Sequence, residues 1–346
     1  MVRPAITILL PRGKRGLPMT FQHVPAGSFL MGQRGEYAVE EPVHAVAITR
    51  DFYLGTFPVT QEQFAVWTAS AAHREWLATM GKRLKEDPHK NGFPTNPRHP
   101  AEQVSWHLAA GFCRWVEKNA QGLLPGFRPW LPTEAEREYA CRWRTDGDAP
   151  CSAASCASTE YYNGDGEAAL AEIGWYDRNS ASTTHAVDER PETHPLGVCG
   201  MHGNVWEWCA DVWDQRAYCS RPDAVSDPGA AKRAAELDEK EPGASRNHPH
   251  RVLRGGSWRI AARYCRAAYR NRDEPEFRRR NNGFRLVLVP GSGGTSGAER
   301  QQTSRAEPAT GDGGRGTSPQ AEGAGGAIDF TELNGPRSGR KFLPEK

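Results

Sequence analysis

A single cysteine in an arginine-rich stretch is the residue of this sequence best suited to chemistry. Cys265 lies close in sequence to Arg254, Arg263 and Arg266. Neighbouring cations lower the pKa of a thiol, and the thiolate is the form that attacks electrophiles and binds soft metals. Cys265 is therefore a candidate reactive thiol. A buried core cysteine is the alternative that the same residues allow, and it is the interpretation that we favour.

The remaining cysteines do not indicate a metal cluster. The eight cysteines of the chain are scattered, and none forms a C-x-x-C pair. This spacing argues against a structural zinc site. Cys151 and Cys156 are close enough in sequence to form a disulfide, but reduced thiols in a cytoplasmic protein are the simpler interpretation.

The arginine-rich stretch also suggests a binding surface. Residues 251–285 contain eleven arginines and only three acids. Four aromatic residues are interleaved with them: Trp258, Tyr264, Tyr269 and Phe277. Because arginine and aromatic side chains together suit protein interfaces and anionic ligands, we predict a positive surface over residues 258–280. The arginines expected there are Arg259, Arg263, Arg266, Arg270, Arg272, Arg278, Arg279 and Arg280, whereas Arg254 and Arg285 are expected to be buried and paired.

Bulk composition excludes several classes of protein. A formal net charge of +2 in 346 residues does not indicate binding to nucleic acid. The apolar patch at residues 5–10 is too short to span a membrane, and no cleavage site for a signal peptide follows it. We therefore expect a cytoplasmic protein that does not associate with membranes.

Local patterns predict three helices and several short strands. Two capping boxes, Thr60-x-x-Gln63 and Thr133-x-x-Glu136, mark the starts of helices, and Ser105 can cap a third. Strand-like stretches lie at residues 28–31, 44–48, 204–208, 252–253 and 284–289. Few regular elements with long connections predict an α+β fold that is low in regular secondary structure.

Composition divides the chain into three parts. Residues 1–20 are basic with Pro and Gly, and are predicted to be a lead; residues 21–290 are dense in aromatics and are predicted to be globular. Residues 291–346 are rich in Gly, Ser and charge, and are predicted to be a disordered tail. Apolar residues return near the end, at 328–333 and 341–343. They are either an ordinary frayed end or a short docking peptide on a tether.

Seven motifs in a fixed order carry a resemblance to a known family. They are Pro25-Ala-Gly-Ser-Phe-Leu-Met-Gly32, residues 51–64, 99–106 and 131–140, Gly203-Asn-Val-Trp-Glu-Trp208, Arg254-Gly-Gly-Ser-Trp258 and Asn282-Gly-Phe-Arg-Leu286. This order resembles the formylglycine-generating enzyme (sulfatase-modifying factor) family. The resemblance implies a variant of the C-type lectin fold for residues 21–290.

The same resemblance implies that formylglycine generation is absent. Generators carry two redox cysteines five positions apart, with a histidine beside the first, and use copper. Here the second position is Cys265, but the first is Ile260 and Ala261 follows it. Because isoleucine cannot coordinate copper, a copper site is not expected. The chain is expected to be a binding or accessory module, and the alternative is a metal- or oxygen-dependent oxidoreductase that uses Cys265 on a peptide or small thiol.

A structural calcium is the cofactor that the resemblance leaves open. In relatives the Gly-Asn-Val-Trp-Glu-Trp region offers oxygen ligands, which suit a hard cation. The matching ligands here are the carbonyls of Gly203 and Val205 and the carboxylate of Glu207. A side-chain ligand that usually precedes them is missing, because Gly200 stands in its place. Trp206 and Trp208 are expected in the core.

The closing segment also resembles the variable proteins of diversity-generating retroelements. These proteins display a hypervariable ligand surface on the same fold. A protein or anionic ligand is the expected partner of such a surface. The residues that match the variable or flanking positions are Trp258, Arg259, Ile260, Ala261, Tyr264, Ala268, Tyr269, Asn271 and Arg272.

Overall fold

Short strands and helices alternate along the chain in a computed structural model that describes residues 3–80, 92, 96–143, 145–146, 149–150, 159–190, 194–221, 224–233 and 249–291. The α-helices that lie wholly in these ranges are α1 Gln61–Thr68, α2 Ala71–Met80, α3 Trp106–Asn119, α4 Glu134–Cys141 and α5 Gly166–Ile173, and residues 230–233 are also helical. The strands there are β1 Ile6–Leu10, β2 Leu17–Val24, β3 Gly27–Met31, β4 His44–Ile48, β5 Phe52–Gly55, β6 Phe127–Trp130, β7 Thr145–Asp146, β8 Ala149–Pro150, β9 Trp206–Val212, β10 Ala224–Ser226, β11 Arg251–Arg254, β12 Arg270–Asp273, β13 Asn282–Phe284 and β14 Val287–Pro290. This content confirms the α+β prediction. The predicted tail, apart from Gly291, and Cys151 and Cys156 lie outside the described residues.

The largest sheet joins the two ends of the domain. Its strand order is β1-β2-β5-β14-β6, with β14 antiparallel to both β5 and β6. Strand β1 and the first part of β2 belong to residues 1–20, and Ile8 and Leu10 are completely buried. The prediction of a separate lead is therefore wrong, because burying these side chains makes the segment part of the core.

A four-stranded sheet carries the arginine-rich stretch. Its order is β12-β11-β9-β13, where β11 is antiparallel to β9 and β13 is parallel to it. The single strand predicted for residues 284–289 is in fact two strands, β13 and β14, in different sheets. The break at Arg285 and Leu286 carries the chain from one sheet to the other, and both residues are buried. A three-stranded sheet, β10-β4-β3, and the β7-β8 pair complete the strands in the described ranges.

The helix starts agree with the capping patterns. Thr60 and Gln63 form a capping box at α1, as Thr133 and Glu136 do at α4. The Ser105 side chain accepts a hydrogen bond from the backbone of Leu108 at the start of α3. Helices α2 and α5 were not predicted. In α5 no side chain caps the N-terminus, and only Leu170 and Ile173 are buried, so the local signal is weak.

Four tryptophans anchor the core where the sheets and helices meet. Trp67, Trp106, Trp130 and Trp208 are all at most 1% exposed. The indole nitrogens of Trp106 and Trp208 donate to the carbonyls of Cys209 and Val104, at 2.9 and 2.8 Å. The first hydrogen bond joins α3 to β9, and the second joins β9 to Val104, which precedes the N-cap residue of α3. The core position expected for Trp206 and Trp208 is confirmed.

Candidate functional site

Two glycines after β11 turn the chain towards Cys265. Gly255 and Gly256 have φ angles of +93° and +80°, which lie in the left-handed region that favours glycine. A Cβ atom on Gly256 would lie 2.4 Å from the Cys265 sulfur, so a side chain there would displace the thiol. Glycine at these two positions therefore allows the turn and lets the backbone at residue 256 pack directly against the Cys265 side chain.

Cys265 is a buried thiol rather than an activated one. It ends the 3₁₀ helix Ala262–Cys265, is completely buried, and accepts a 2.7 Å hydrogen bond from His202 on its carbonyl. Burial raises the pKa of the Cys265 thiol to about 12. The structure therefore has the buried core cysteine, and the alternative of a pKa lowered by Arg254, Arg263 and Arg266 is wrong. Those guanidinium groups point to other partners, as described below.

The position that holds the first cysteine in generators offers no ligand here. Ile260 is half-buried and packs against the core, and its carbonyl accepts a 3.1 Å hydrogen bond from the Asp177 backbone. Among the described residues, no group of three His, Cys, Asp or Glu side chains is arranged to hold a metal ion. The site therefore has one buried sulfur, that of Cys265, and an aliphatic side chain where generators have a second cysteine.

The residues expected to bind calcium do not fit that ion. Glu207 is completely buried, and both of its carboxylate oxygens accept hydrogen bonds from arginine. Arg137 donates at 3.1 Å, and Arg285 donates at 2.9 and 3.1 Å. Gly203 and Val205 are buried beside it. Two guanidinium groups already neutralise the carboxylate and would repel a cation, so Glu207 is a structural anion.

The buried arginines are more numerous than the sequence suggests. Arg254 and Arg285 are buried and paired, which confirms their expected role. Arg266 and Arg270 were expected on the surface, and that prediction is wrong. Arg266 makes bidentate contacts of 2.9 and 3.0 Å with Glu40, and Arg270 makes contacts of 2.6 and 2.9 Å with Glu134. Both carboxylates come from distant parts of the chain.

Several of the expected binding residues are also in the interior. Ala268 is completely buried, and Trp258 and Tyr269 are each 8% exposed. The Trp258 indole donates to the carbonyl of Arg280 at 3.1 Å, which holds the loop from inside. A continuous surface over residues 258–280 therefore does not exist. Asn271 is half-buried and Arg272 exposed, but both lie on the separate strand β12.

A smaller surface remains, which we call the tyrosine–arginine face. Tyr37, Arg263 and Tyr264 contact one another in it, and we include the exposed or partly exposed residues that precede Arg263 in the loop, Arg259, Ile260 and Ala261. Arg259 and Arg263 are exposed, and the other four are partly exposed. The Arg263 guanidinium lies 4.5 Å from the centre of the Tyr264 ring and donates to a tyrosine hydroxyl, that of Tyr264, at 3.0 Å. The face thus presents a stacked cation next to aromatic rings.

Tyr37 is the residue of this face that sequence reasoning missed. Its ring centre lies 6.4 Å from that of Tyr264 and 5.3 Å from that of Tyr269, and the latter two are 5.0 Å apart. Burial, followed by the neighbouring Tyr264, raises the pKa of Tyr37 above its ordinary value. Tyr37 lies more than 220 positions before Tyr264 in a turn-rich stretch, and no local pattern marks it.

The fold and the glycine-turned loop define the class of this protein. It has the formylglycine-generating-enzyme-like variant of the C-type lectin fold. Residues 11–289 match the sulfatase-modifying factor enzyme 1-like domain, and the chain belongs to that family. This match confirms the resemblance of the seven motifs and also places the start of the domain before residue 21.

Comparison with known proteins gives relatives of several kinds. The chain is 27% identical to the formylglycine-generating enzyme of Streptomyces coelicolor, over 80% of this chain and 90% of that protein. It is 28% identical to the serine/threonine-protein kinase pkn1 of Chlamydia caviae, over 76% of this chain, but spans only 37% of the kinase. Treponema denticola variable protein 1 has a similar structure, with a TM-score of 0.57 at 23% identity, over 83% of this chain and 100% of that one. This last likeness concerns the fold alone.

The described helices do not include a membrane span. None of them is both long and apolar enough to cross a bilayer.

Proposed function

We propose that this protein is a binding module whose ligand contacts the tyrosine–arginine face. The observation that carries the proposal is the exposed Arg263 stacked on Tyr264, with Tyr37 beside it. Arginine and tyrosine are the residues most often found to dominate binding energy at protein interfaces. Rings held from below by buried Tyr269 lose little side-chain freedom when a ligand arrives, which favours tight binding.

The ligand class follows from the charge of this face. Arg259 and Arg263 supply two exposed guanidinium groups, and these pair well with carboxylate or phosphate oxygens. Half-buried Ile260 and Ala261 lie between them in sequence and add a small apolar portion. We therefore infer a protein or another anionic ligand with an apolar portion.

We also propose that a retroelement diversifies this face, at fewer positions than the sequence pattern suggests. Arg259, Ile260, Ala261 and Tyr264 lie on one exposed or half-exposed loop, where substitutions are compatible with folding. Ala268 and Tyr269 are buried and would tolerate far less change. A reverse-transcriptase gene beside a near-copy of the coding region for residues 251–290 would support diversification. The absence of any such copy in the genome would contradict it.

A double substitution tests the binding face. Peptides selected from a random display library on the wild-type chain should bind Arg263→Ala/Tyr264→Ala at least about 30-fold more weakly, since losing one hot spot costs about 2 kcal/mol. Fluorescence anisotropy gives both affinities. The matched control is Arg12→Ala, because Arg12 is exposed at 55% but lies on the β1–β2 turn. An equal loss of affinity in both variants, or no loss in either, would show that the peptides do not bind at the tyrosine–arginine face.

Oxidation at Cys265 is the second candidate, and the formylglycine-generating relatives are what favour it. The buried thiol and Ile260 argue against it. We expect no conversion of a Cys-x-Pro-x-Arg peptide, the sequence that generators oxidise, after incubation with the full chain, copper and oxygen. Mass spectrometry of the peptide is the measurement. Turnover that persists after dialysis and is lost in Cys265→Ser would establish the oxidoreductase instead.

A further inference from the structure

A second surface feature lies away from the tyrosine–arginine face, between α2 and α3. It is a groove with a volume of about 390 Å³. Half-exposed Trp76 and the largely buried Trp67, Trp115 and Met80 give it apolar walls. Two cations, Arg114 and Lys118, lie along α3, and one acid, Glu75, lies on α2. A groove with tryptophan in its wall and cationic side chains along one helix is suited to a short peptide with apolar and acidic residues.

The ring of Trp76 lies along this groove because Gly111 of α3 leaves room for it. Trp76 is half-exposed and lies against Gly111, where a Cβ atom would come within 2.7 Å of the indole. The Trp76 ring also packs edge-on against buried Trp67, with 5.2 Å between ring centres. Gly111 therefore allows Trp76 to lie flat along α3, which leaves an indole surface facing the groove.

The chain itself contains a segment with the matching chemistry. Residues 291–327 include no aromatic residue and no Val, Ile, Leu or Met. Large apolar residues then return at Ile328, Phe330 and Leu333, with acids at Asp329 and Glu332 between them. Alternation of apolar and acidic residues complements a tryptophan-lined groove with two cations on one side.

The chain leaves the domain close enough to reach the groove. Gly291 donates a backbone hydrogen bond to the carbonyl of Gly126 at 2.7 Å, and Asn119 at the end of α3 lines the groove. Seven peptide units separate Asn119 from Gly126, so these residues are at most about 25 Å apart. The 37 residues from 291 to 327 can span more than about 100 Å when extended.

We propose that the segment Ile328–Leu333 binds in the α2–α3 groove of its own chain. Phe330 contacts the tryptophan rings, and Asp329 and Glu332 face Arg114 and Lys118. Tethering gives such a segment an effective concentration of about a millimolar, so modest affinity is enough to keep the groove occupied.

Hydrogen exchange of the full chain tests the proposal. In Phe330→Ala/Leu333→Ala, the amides of α2 and of the second half of α3 should exchange about tenfold faster than in the wild type. Phe342→Ala is the matched control, because it removes the other aromatic side chain of the tail, and it should exchange like the wild type. Unchanged exchange in the double variant would overturn the proposal.

A peptide added in trans provides the complementary readout. A fluorescent peptide of residues 326–336 should bind the full-length double variant and not the wild type, whose groove is already filled. Lys118→Glu in the double variant should weaken this binding about tenfold, and a peptide with Asp329→Lys and Glu332→Lys should recover it. If the peptide binds neither protein, the segment does not recognise the groove. Wild-type protection that falls on dilution would identify a second copy as the occupant and overturn binding in cis.

Discussion

Replacing Arg254 with methionine is expected to lower the free energy of unfolding by about 3–5 kcal/mol, the usual cost of removing one partner of a buried ion pair. Arg254 is 1% exposed and donates to Glu138. It also donates to the carbonyls of Ala267, Ala268 and Tyr269, at 3.0, 2.7 and 2.7 Å. Methionine fills much of the volume but leaves the carboxylate with one cation fewer and three carbonyls without this donor.

Urea unfolding followed by circular dichroism measures this loss. Arg259→Met is the control, because Arg259 is exposed, and its substitution should change the unfolding free energy by less than about 0.5 kcal/mol. A loss below about 1 kcal/mol in Arg254→Met would mean that the domain relaxes around the cavity or that water replaces the guanidinium. The buried charges would then not be what holds the arginine-rich stretch in place.

The dependence of the unfolding free energy on pH in the acid range provides a second test of the ion pair between Arg254 and Glu138. Burial alone would raise the pKa of Glu138, but Arg254 and Arg142 outweigh it and hold this pKa below its ordinary value of 4.5. A carboxyl with a lowered pKa in the folded state contributes stability above its unfolded pKa, and this contribution is lost as the pH falls. Below about pH 4.5 the wild type should therefore lose stability more steeply than Arg254→Met.

The parts of the fold that could be predicted are those with local causes. The capping boxes at Thr60 and Thr133 satisfy backbone groups three positions away, so their residues alone specify a helix start. Helix α2 gives a much weaker local signal, since only His73 and Met80 are buried in it. The order of the seven motifs supplied the fold, since an irregular domain of this kind has too little periodicity to reveal its topology.

The candidate site could be predicted only in part, because burial of charge depends on distant partners. Arg266 and Arg263 are three positions apart and equally charged, yet one is completely buried and the other exposed. The difference is Glu40, which lies 226 positions away and meets Arg266. Tyr37 enters the tyrosine–arginine face from the same distant region. A pattern read along residues 258–280 contains no trace of either contact.

The difference between a buried and an exposed side chain also decides how reactive the Cys265 thiol is. Iodoacetamide should label Cys265 of the folded chain at pH 8 at least about 1,000-fold more slowly than Cys219, which is the exposed cysteine of the described residues. At a pKa of about 12, roughly one thiol in 10,000 is ionised at this pH, whereas an ordinary cysteine is about one-quarter ionised. Enclosure beneath Gly256 slows the reagent further.

Mass spectrometry of the labelled peptides gives both rates in one sample, and labelling in 8 M urea should make them equal. Buried Cys141 is an internal control, because burial also raises the pKa of its thiol and it should likewise be labelled more slowly than Cys219. If Cys265 alone reacted as fast as Cys219, the loop after Gly256 would have to open without unfolding the domain. A gated, reactive thiol would then exist in this chain, and oxidation rather than binding would become the better account of its function.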